Sequence, residues 1–265
     1  MKSELLVTAK EESPGSVPAL DRSLDILELL SASAGGLTLS ELSNHLEIPK
    51  NAVFRISQTL LARGYLSRHV ETMAFQLTGQ WLKLATPRLR GLSLPALARP
   101  AMTALRDATG ETVQLGVLSG VEGTIIEQVE GTEPLRIVVD LGLRFPLHNN
   151  APGKLFLSHF TDEKRDQVLS QLKLTASTPR TITTKAELSK ECEGIVSQGY
   201  SIDYAEADEG IHCIAAPIVS EFEGVVAALW LTGPAKRLPK SRFRELGEQV
   251  RAAAAQASFR IQELS

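Results

Sequence analysis

Two short helical patterns separated by a tight break constrain this 265-residue chain more than any other feature. The first begins at Thr38 and has Glu41 three residues later, the spacing at which two side chains cap the free N–H groups of a helix start. Pro49 ends the break, and the second pattern runs to Arg63. Gly64 then suits a left-handed helix end. This arrangement predicts a helix-turn-helix.

A β-hairpin is predicted directly after these two helices. Tyr65-Leu66 and Phe75-Gln76-Leu77 alternate apolar and polar residues, and the polar stretch 67–72 separates them. An additional helix precedes the pair, and its predicted buried face consists of Leu20, Leu24 and Leu27, widened by Ile26 and Leu30. Three helices followed by a hairpin predict a winged helix-turn-helix over residues 16–78.

The second helix of the pair has polar side chains opposite its apolar stripe. Asn51, Arg55 and Gln58 are spaced at i, i+4 and i+7, so they share one face. Arginine matches guanine and the two amides match adenine, each through two hydrogen bonds. Lys50 at the helix start would meet a phosphate, and Arg68 on the hairpin would touch the DNA backbone or minor groove. We predict that these five residues bind DNA.

The charge distribution fits a single basic edge. The formal net charge is −3, which by itself does not indicate a nucleic-acid partner. However, residues 50–68 contain four Lys or Arg residues and no Asp or Glu. The alternatives are a solvated helix face and a winged-helix module that binds protein.

The rest of the chain predicts a second, larger domain over residues 92–265. It follows a linker helix over 79–91, and residues 1–15 read as a flexible tail. Two strand pairs, 113–118 with 124–129 and 213–219 with 224–231, predict an antiparallel sheet with helices packed on it, an α+β fold. One more strand is expected over 135–140, and helices are expected near 79–90, 96–109, 154–159, 162–172, 185–198 and 240–263.

Composition favours a cytoplasmic protein without a membrane partner. The chain has no run of eighteen apolar residues, and its polar N-terminus lacks the apolar core of a signal peptide. Cys192 and Cys213 are too few for a disulfide framework. Because the sequence contains neither a phosphate loop nor a compact pair of metal ligands, no cofactor is predicted.

In their order, these motifs resemble the IclR family of bacterial transcriptional regulators over nearly the whole chain. The N-terminal matches are residues 20–27, 37–42 and 49–55, and the C-terminal matches are residues 146–148, 153–154, 199–203, 210–217 and 233–234. The resemblance implies a GAF-like effector domain, and a homodimer or dimer of dimers that binds double-stranded DNA at a palindromic operator.

The resemblance also implies where a small effector would bind. By position, Asp203 and Cys213 would be polar contacts to the ligand. Ala151, Pro152 and Gly153 would supply backbone N–H groups for a carboxylate. The free N–H groups at a helix start favour an anion, which makes this role physically sensible.

The sequence departs from the family pattern around this predicted site. Asn149 and Asn150 stand where small residues or a single hydroxyl are common. Pro152 has no N–H to donate, and His212 replaces a frequent arginine. Two amides suit the hydroxyl groups of a sugar acid or hydroxy acid, and an aromatic acid is the other effector class.

Two other interpretations use the same residues. His148, Asp203, His212 and Cys213 would suit a cysteine hydrolase or a metal-dependent sensor with a vestigial winged helix. Cys213 begins an apolar strand, where a buried structural thiol is commoner than a nucleophile. The sequence therefore favours a non-enzymatic regulator, a repressor of a catabolic operon that senses a small organic acid.

Overall fold

The structure, a computed structural model, describes residues 16–33, 35–85, 88–89 and 92–263. The chain divides into two compact units, Met1–Ala85 and Thr86–Ser265. The tail predicted over 1–15 lies outside the described residues. Within the described ranges, no helix is long and apolar enough to cross a bilayer.

The first unit has the predicted three helices and hairpin. Its elements are α1 (Pro18–Ser31), α2 (Leu39–Leu46), α3 (Lys50–Ala62), β1 (Leu66–Arg68), β2 (Phe75–Leu77) and α4 (Gln80–Ala85). The capping box is confirmed: the Glu41 N–H donates to Thr38 Oγ1 at 3.3 Å, and the Thr38 N–H donates to Glu41 Oε2 at 2.7 Å. The bonds from Thr38 lower the pKa of Glu41. Gly64 is left-handed, as predicted.

The predicted buried face of α1 is partly wrong. Ile26, Leu29 and Leu30 are buried, but Leu20 and Leu24 are 57% and 48% exposed. The core of this unit consists of residues from α2, α3 and the hairpin, and only the second half of α1 contributes to it. Helical spacing identifies an apolar stripe but not how far along that stripe the neighbouring elements reach.

The second unit is built on a six-stranded antiparallel sheet. Its strands, in the order in which they pair, are β7 (Arg144–Pro146), β6 (Glu122–Val129), β5 (Thr112–Ser119), β10 (Gly224–Pro234), β9 (Ile211–Ser220) and β8 (Ser201–Tyr204). Before them, β3 (Arg88–Leu89) pairs with β4 (Leu92–Ser93). The helix expected over 79–90 is therefore shorter, since α4 ends at Ala85 and a strand pair follows.

Helices cover both faces of the sheet. A core on one face contains residues of α5 (Leu94–Thr109) and α9 (Phe243–Glu263), the latter preceded by a 3-10 turn at Lys240–Arg242. A second core on the other face contains residues of α6 (Ala151–Ser158), α7 (Asp162–Gln171) and α8 (Lys185–Gln198). Alternate residues of β9 enter the two cores, as a doubly covered sheet requires. The predicted α+β class is confirmed.

The prediction of a strand over Leu135–Asp140 is wrong. The segment belongs to no strand, and it is bonded to the side chain of Gln128 on β6. The Val139 N–H donates to Gln128 Oε1 at 3.2 Å, and Gln128 Nε2 donates to the Val139 carbonyl at 3.4 Å. Consecutive β-branched residues favour a strand, whereas only tertiary contacts decide whether the segment finds a backbone partner.

Candidate functional site

Helix α3 presents a row of exposed polar side chains. Asn51, Arg55 and Gln58 are exposed, and Lys50 is exposed at the first residue of the helix. Val53, on the opposite side, is fully buried in the core of the unit. The helix is therefore anchored by one face and offers the other to solvent.

The turn between α2 and α3 holds α3 in a defined orientation. Ser43 Oγ donates to the Ile48 carbonyl at 2.7 Å, which ties α2 to the end of the turn. Glu47 ends α2 with a φ of 54°, a left-handed conformation that reverses the chain within three residues. A short, bonded turn of this kind is what a helix-turn-helix requires.

Arg68 on the hairpin is exposed, and its side chain is held by two contacts. Its Nε donates to the Met73 carbonyl at 3.2 Å, and its guanidinium lies 5.1 Å from the centroid of the Phe75 ring. The hairpin tip beyond it exposes 88% of Val70. The wing thus presents an oriented cation next to a polar tip that exposes one valine.

In the second unit, the two asparagines build the start of α6. Asn150 caps the helix, because its Oδ1 accepts the Gly153 N–H at 2.8 Å. Its Nδ2 donates to the Pro146 carbonyl at 2.6 Å and to Asn149 Oδ1 at 3.1 Å. Asn149 Nδ2 in turn donates to Ser177 Oγ at 3.0 Å. The side chains of both asparagines are therefore bonded to neighbouring protein groups around the start of α6.

Helix α6 begins at Ala151, three residues earlier than predicted, and lies against both the preceding loop and β8. A Cβ added to Gly153 would lie 2.6 Å from Leu147 Cα, so the backbone here approaches too closely for any side chain. Ser201 Oγ donates to the Ala151 carbonyl at 2.6 Å. The predicted effector segment is thereby held against the strand that carries Asp203.

Asp203 and Cys213 face each other across β8 and β9. They are paired in register, and Asp203 is only 1% exposed. Asp203 Oδ1 accepts the Glu206 N–H at 2.6 Å, yet burial raises the pKa of Asp203 to about 7. Cys213 Sγ donates to Thr232 Oγ1 at 3.2 Å, and burial raises the pKa of this thiol. The structure therefore brings these two predicted residues together.

Lys154 is a residue that the sequence reasoning missed as a site residue. It is 0% exposed, and its Nζ lies 2.5 Å from Glu206 Oε1 and 3.1 Å from Glu191 Oε1. Burial raises the pKa of Glu206, which Lys154 opposes. The sequence feature that could have identified Lys154 is that it is the single charged residue in the helix sequence APGKLFLS.

The histidines considered for catalysis or metal binding do not join Cys213. His148 Nε2 bonds to the Thr175 carbonyl at 3.0 Å. His212 is next to Cys213 in the strand and so points to the opposite face, where its ring contacts Tyr204 and Phe243. Among the residues described, no group of three or more His, Cys, Asp or Glu side chains is placed to hold a metal.

Two family profiles match the chain. The profile described as "Bacterial transcriptional regulator IclR C-terminal" matches residues 87–259, and "IclR helix-turn-helix domain" matches residues 19–69. The chain belongs to the IclR family. The resemblance drawn from the sequence motifs is thus confirmed.

Curated IclR-family relatives match most of the chain. The HTH-type transcriptional regulator BhcR of Paracoccus denitrificans is 33% identical over 94% of this chain and 88% of its own length. The HTH-type transcriptional repressor AllR of Escherichia coli K12 is 30% identical over 88% of this chain and 86% of its own length. These relatives are transcriptional regulators rather than enzymes.

A solved IclR homolog has the same overall fold. It comes from Microbacterium hydrocarbonoxydans and was crystallised in complex with 4-hydroxybenzoate. The comparison of the homolog with this chain gives a TM-score of 0.78 at 25% sequence identity, and it covers 93% of this chain and 100% of the homolog. An IclR-family protein of this fold thus binds a small aromatic acid.

Proposed function

We propose that this IclR-family chain is a cytoplasmic, ligand-responsive repressor of a catabolic operon. It binds a palindromic operator as a homodimer or a dimer of dimers. The observation that carries this proposal is the exposed polar row on α3, formed by Asn51, Arg55 and Gln58. A buried or apolar α3 surface would leave no means of reading bases.

On DNA, α3 lies in the major groove. Arg55 makes two hydrogen bonds to a guanine edge, while Asn51 and Gln58 contact adenines. Lys50 and Arg68 contact phosphates, which position the helix and supply much of the affinity without reading sequence. The contact of the Arg68 guanidinium with Phe75 favours this role, because it orients the cation on the wing.

The effector is a small organic acid that binds between the start of α6 and the β8–β9 pair. Asp203 and Cys213 contact it directly, together with Asn149 and the backbone at Ala151. Asn150 and Gly153 shape the site, since Asn150 caps the helix and the Gly153 N–H is already bonded to it. The 4-hydroxybenzoate complex of the homolog favours an aromatic acid, while the paired amides favour a hydroxylated one.

Effector and operator binding are coupled through the geometry of the two DNA-reading units in the oligomer. A ligand changes operator affinity only to the extent that it binds the two geometries unequally. The coupling is reciprocal, so operator DNA changes effector affinity by the same factor.

The DNA-binding proposal is tested with Arg55→Ala. Loss of a bidentate base contact removes about 1–3 kcal/mol, so we expect a roughly five- to hundredfold weaker complex with the operator. Fluorescence anisotropy with a labelled duplex from upstream of the gene, with and without unlabelled competitor DNA, measures this. The control is Arg251→Ala on α9, which removes an exposed arginine paired with Glu248. Equal operator affinity for the two variants would contradict the proposal.

A further inference from the structure

Around Asp203, carboxyl groups outnumber the cations that are ion-paired with them. Both ion-pair partners of Lys154 are carboxylates, Glu206 at 2.5 Å and Glu191 at 3.1 Å. Asp203 is a third carboxyl group that interacts electrostatically with this lysine. The buried ammonium group of Lys154 therefore interacts with three carboxyl groups, in the region where we place a small acid.

The start of α6 offers few free amide hydrogens to an anion. Pro152 has no N–H, and the Gly153 N–H is bonded to Asn150 Oδ1. The Lys154 N–H donates to the Asn150 carbonyl at 3.1 Å. Of the first four residues of the helix, these three offer no unbonded amide hydrogen to an anion.

The other groups that face Asp203 are neutral. From β9 comes the Cys213 thiol, whose pKa burial raises. From the loop 175–181, the hydroxyls of Thr178 and Thr181 donate to the backbone carbonyls of Ala205 and Glu206. Arg180 and Lys240 contact the ring of the neighbouring Tyr204 and line one pocket together with Glu191 and Glu206. No ion pair links either of these two cations to Asp203 among the residues described.

Two carboxyl groups of this cluster have raised pKa values, which disfavours their ionised forms. Burial raises the pKa of Asp203 to about 7, and it also raises the pKa of Glu206. Glu206 Oε2 is buried and has no hydrogen-bond donor within the part of the chain that the structure describes. A buried carboxylate oxygen without a donor favours the arrival of a donor group or a proton.

We propose that a small acid enters this site together with one proton, and that the protonated carboxyl of Asp203 donates a hydrogen bond to it. The proton comes from solvent and ends on Asp203, while no bond of the ligand breaks. An ionised Asp203 would repel the ligand carboxylate, whereas the neutral acid offers it a donor. The inference rests on the effector site proposed above, and it requires the effector to present an acceptor oxygen at Asp203.

The direction of the pH dependence follows from the ligand-free protein. Well above pH 7 Asp203 is ionised, so each binding event must take up a proton, and the dissociation constant rises up to about tenfold per pH unit. Well below pH 7 Asp203 already carries its proton, so binding takes up none. The ligand carboxylate itself stays ionised over this range.

Isothermal titration calorimetry of the full chain tests this with 4-hydroxybenzoate and D-gluconate as probes. Each is titrated at pH 6, 7 and 8 in two buffers of different ionisation enthalpy, which reports the protons taken up. For the wild type we expect uptake that approaches one proton at pH 8 and falls towards zero at pH 6. Asp203→Asn keeps an acceptor for the Glu206 N–H and an N–H donor for the ligand, so it should still bind while losing the proton uptake seen for the wild type at pH 8.

The control is Asp166→Asn on α7, an exposed carboxyl that should leave the proton uptake of the wild type unchanged. Binding without proton uptake at pH 8 overturns the inference and leaves the effector proposal standing. Uptake that persists in a folded Asp203→Asn protein, or that disappears in Asp166→Asn, overturns the assignment to Asp203. Failure of both probes to bind the wild type overturns the inference together with the proposed effector class.

Discussion

At the scale of single residues, burial decides the chemistry of both cysteines. Cys192 lies on the buried face of α8, and burial raises its thiol pKa to about 11. Burial likewise raises the pKa of Cys213, whose thiol donates to Thr232. A thiol reacts as its thiolate, so neither residue has the environment of a nucleophile.

We therefore expect both thiols to be inert in the folded protein. Ellman's reagent at pH 8 should label neither cysteine within an hour, and it should label both in guanidinium chloride. Cys192→Ser and Cys213→Ser assign any signal to one residue. Rapid labelling of native Cys213 would contradict this expectation and would revive the cysteine hydrolase interpretation.

At the scale of elements, the start of α6 depends on a glycine. Leu147 Cα and the Pro146 carbonyl oxygen lie 2.6 and 2.7 Å from the position that a Cβ at Gly153 would occupy. Both atoms belong to the backbone, so neither can turn aside as a flexible side chain would. The loop and the helix can pack this closely only because position 153 has no side chain.

Gly153→Ala should lower the free energy of unfolding by about 2–4 kcal/mol, because overpacking against backbone forces the helix and loop apart. Gly194→Ala is the matched control, since it lies inside α8 with no atom within 4 Å of the added Cβ. Alanine there should stabilise by about 1 kcal/mol or less through helix propensity. Urea denaturation followed by circular dichroism measures both, and equal effects would contradict the packing argument.

At the scale of the whole molecule, the chain has a separate core in each unit. The first unit buries residues such as Leu42, Val53 and Phe75, and these form one cluster. The second unit buries two clusters, one on each face of its sheet. Units that each enclose their own core have the property expected of independently folding domains.

We expect residues 86–265 to fold without the winged helix. The fragment should show a cooperative thermal transition by circular dichroism and should bind the acid probes, but it should not bind the operator. The full chain, measured in the same three assays, is the reference for the fragment. A fragment that lacks a cooperative transition would show that the second unit depends on the first for its stability.

The sequence alone determined the architecture wherever a local physical rule applies. Thr38 with Glu41 identified a helix start, Gly64 a helix end, and the spacing of Asn51, Arg55 and Gln58 an exposed face. Each depends on contacts within a few residues, so reading along the chain is sufficient. The family motifs added Asp203 and Cys213 as predicted contacts to a ligand, while their pairing across β8 and β9 came from the structure.

Only the tertiary structure decided the features that depend on residues distant in sequence. Leu20 and Leu24 of the apolar stripe on α1 are exposed. The segment 135–140 bonds to the side chain of Gln128 instead of pairing with a strand, and Lys154 is buried against Glu191 and Glu206. Whether an apolar residue is covered, or a charge finds a partner, depends on which elements the fold brings together. Neither periodicity nor charge along the chain contains that information.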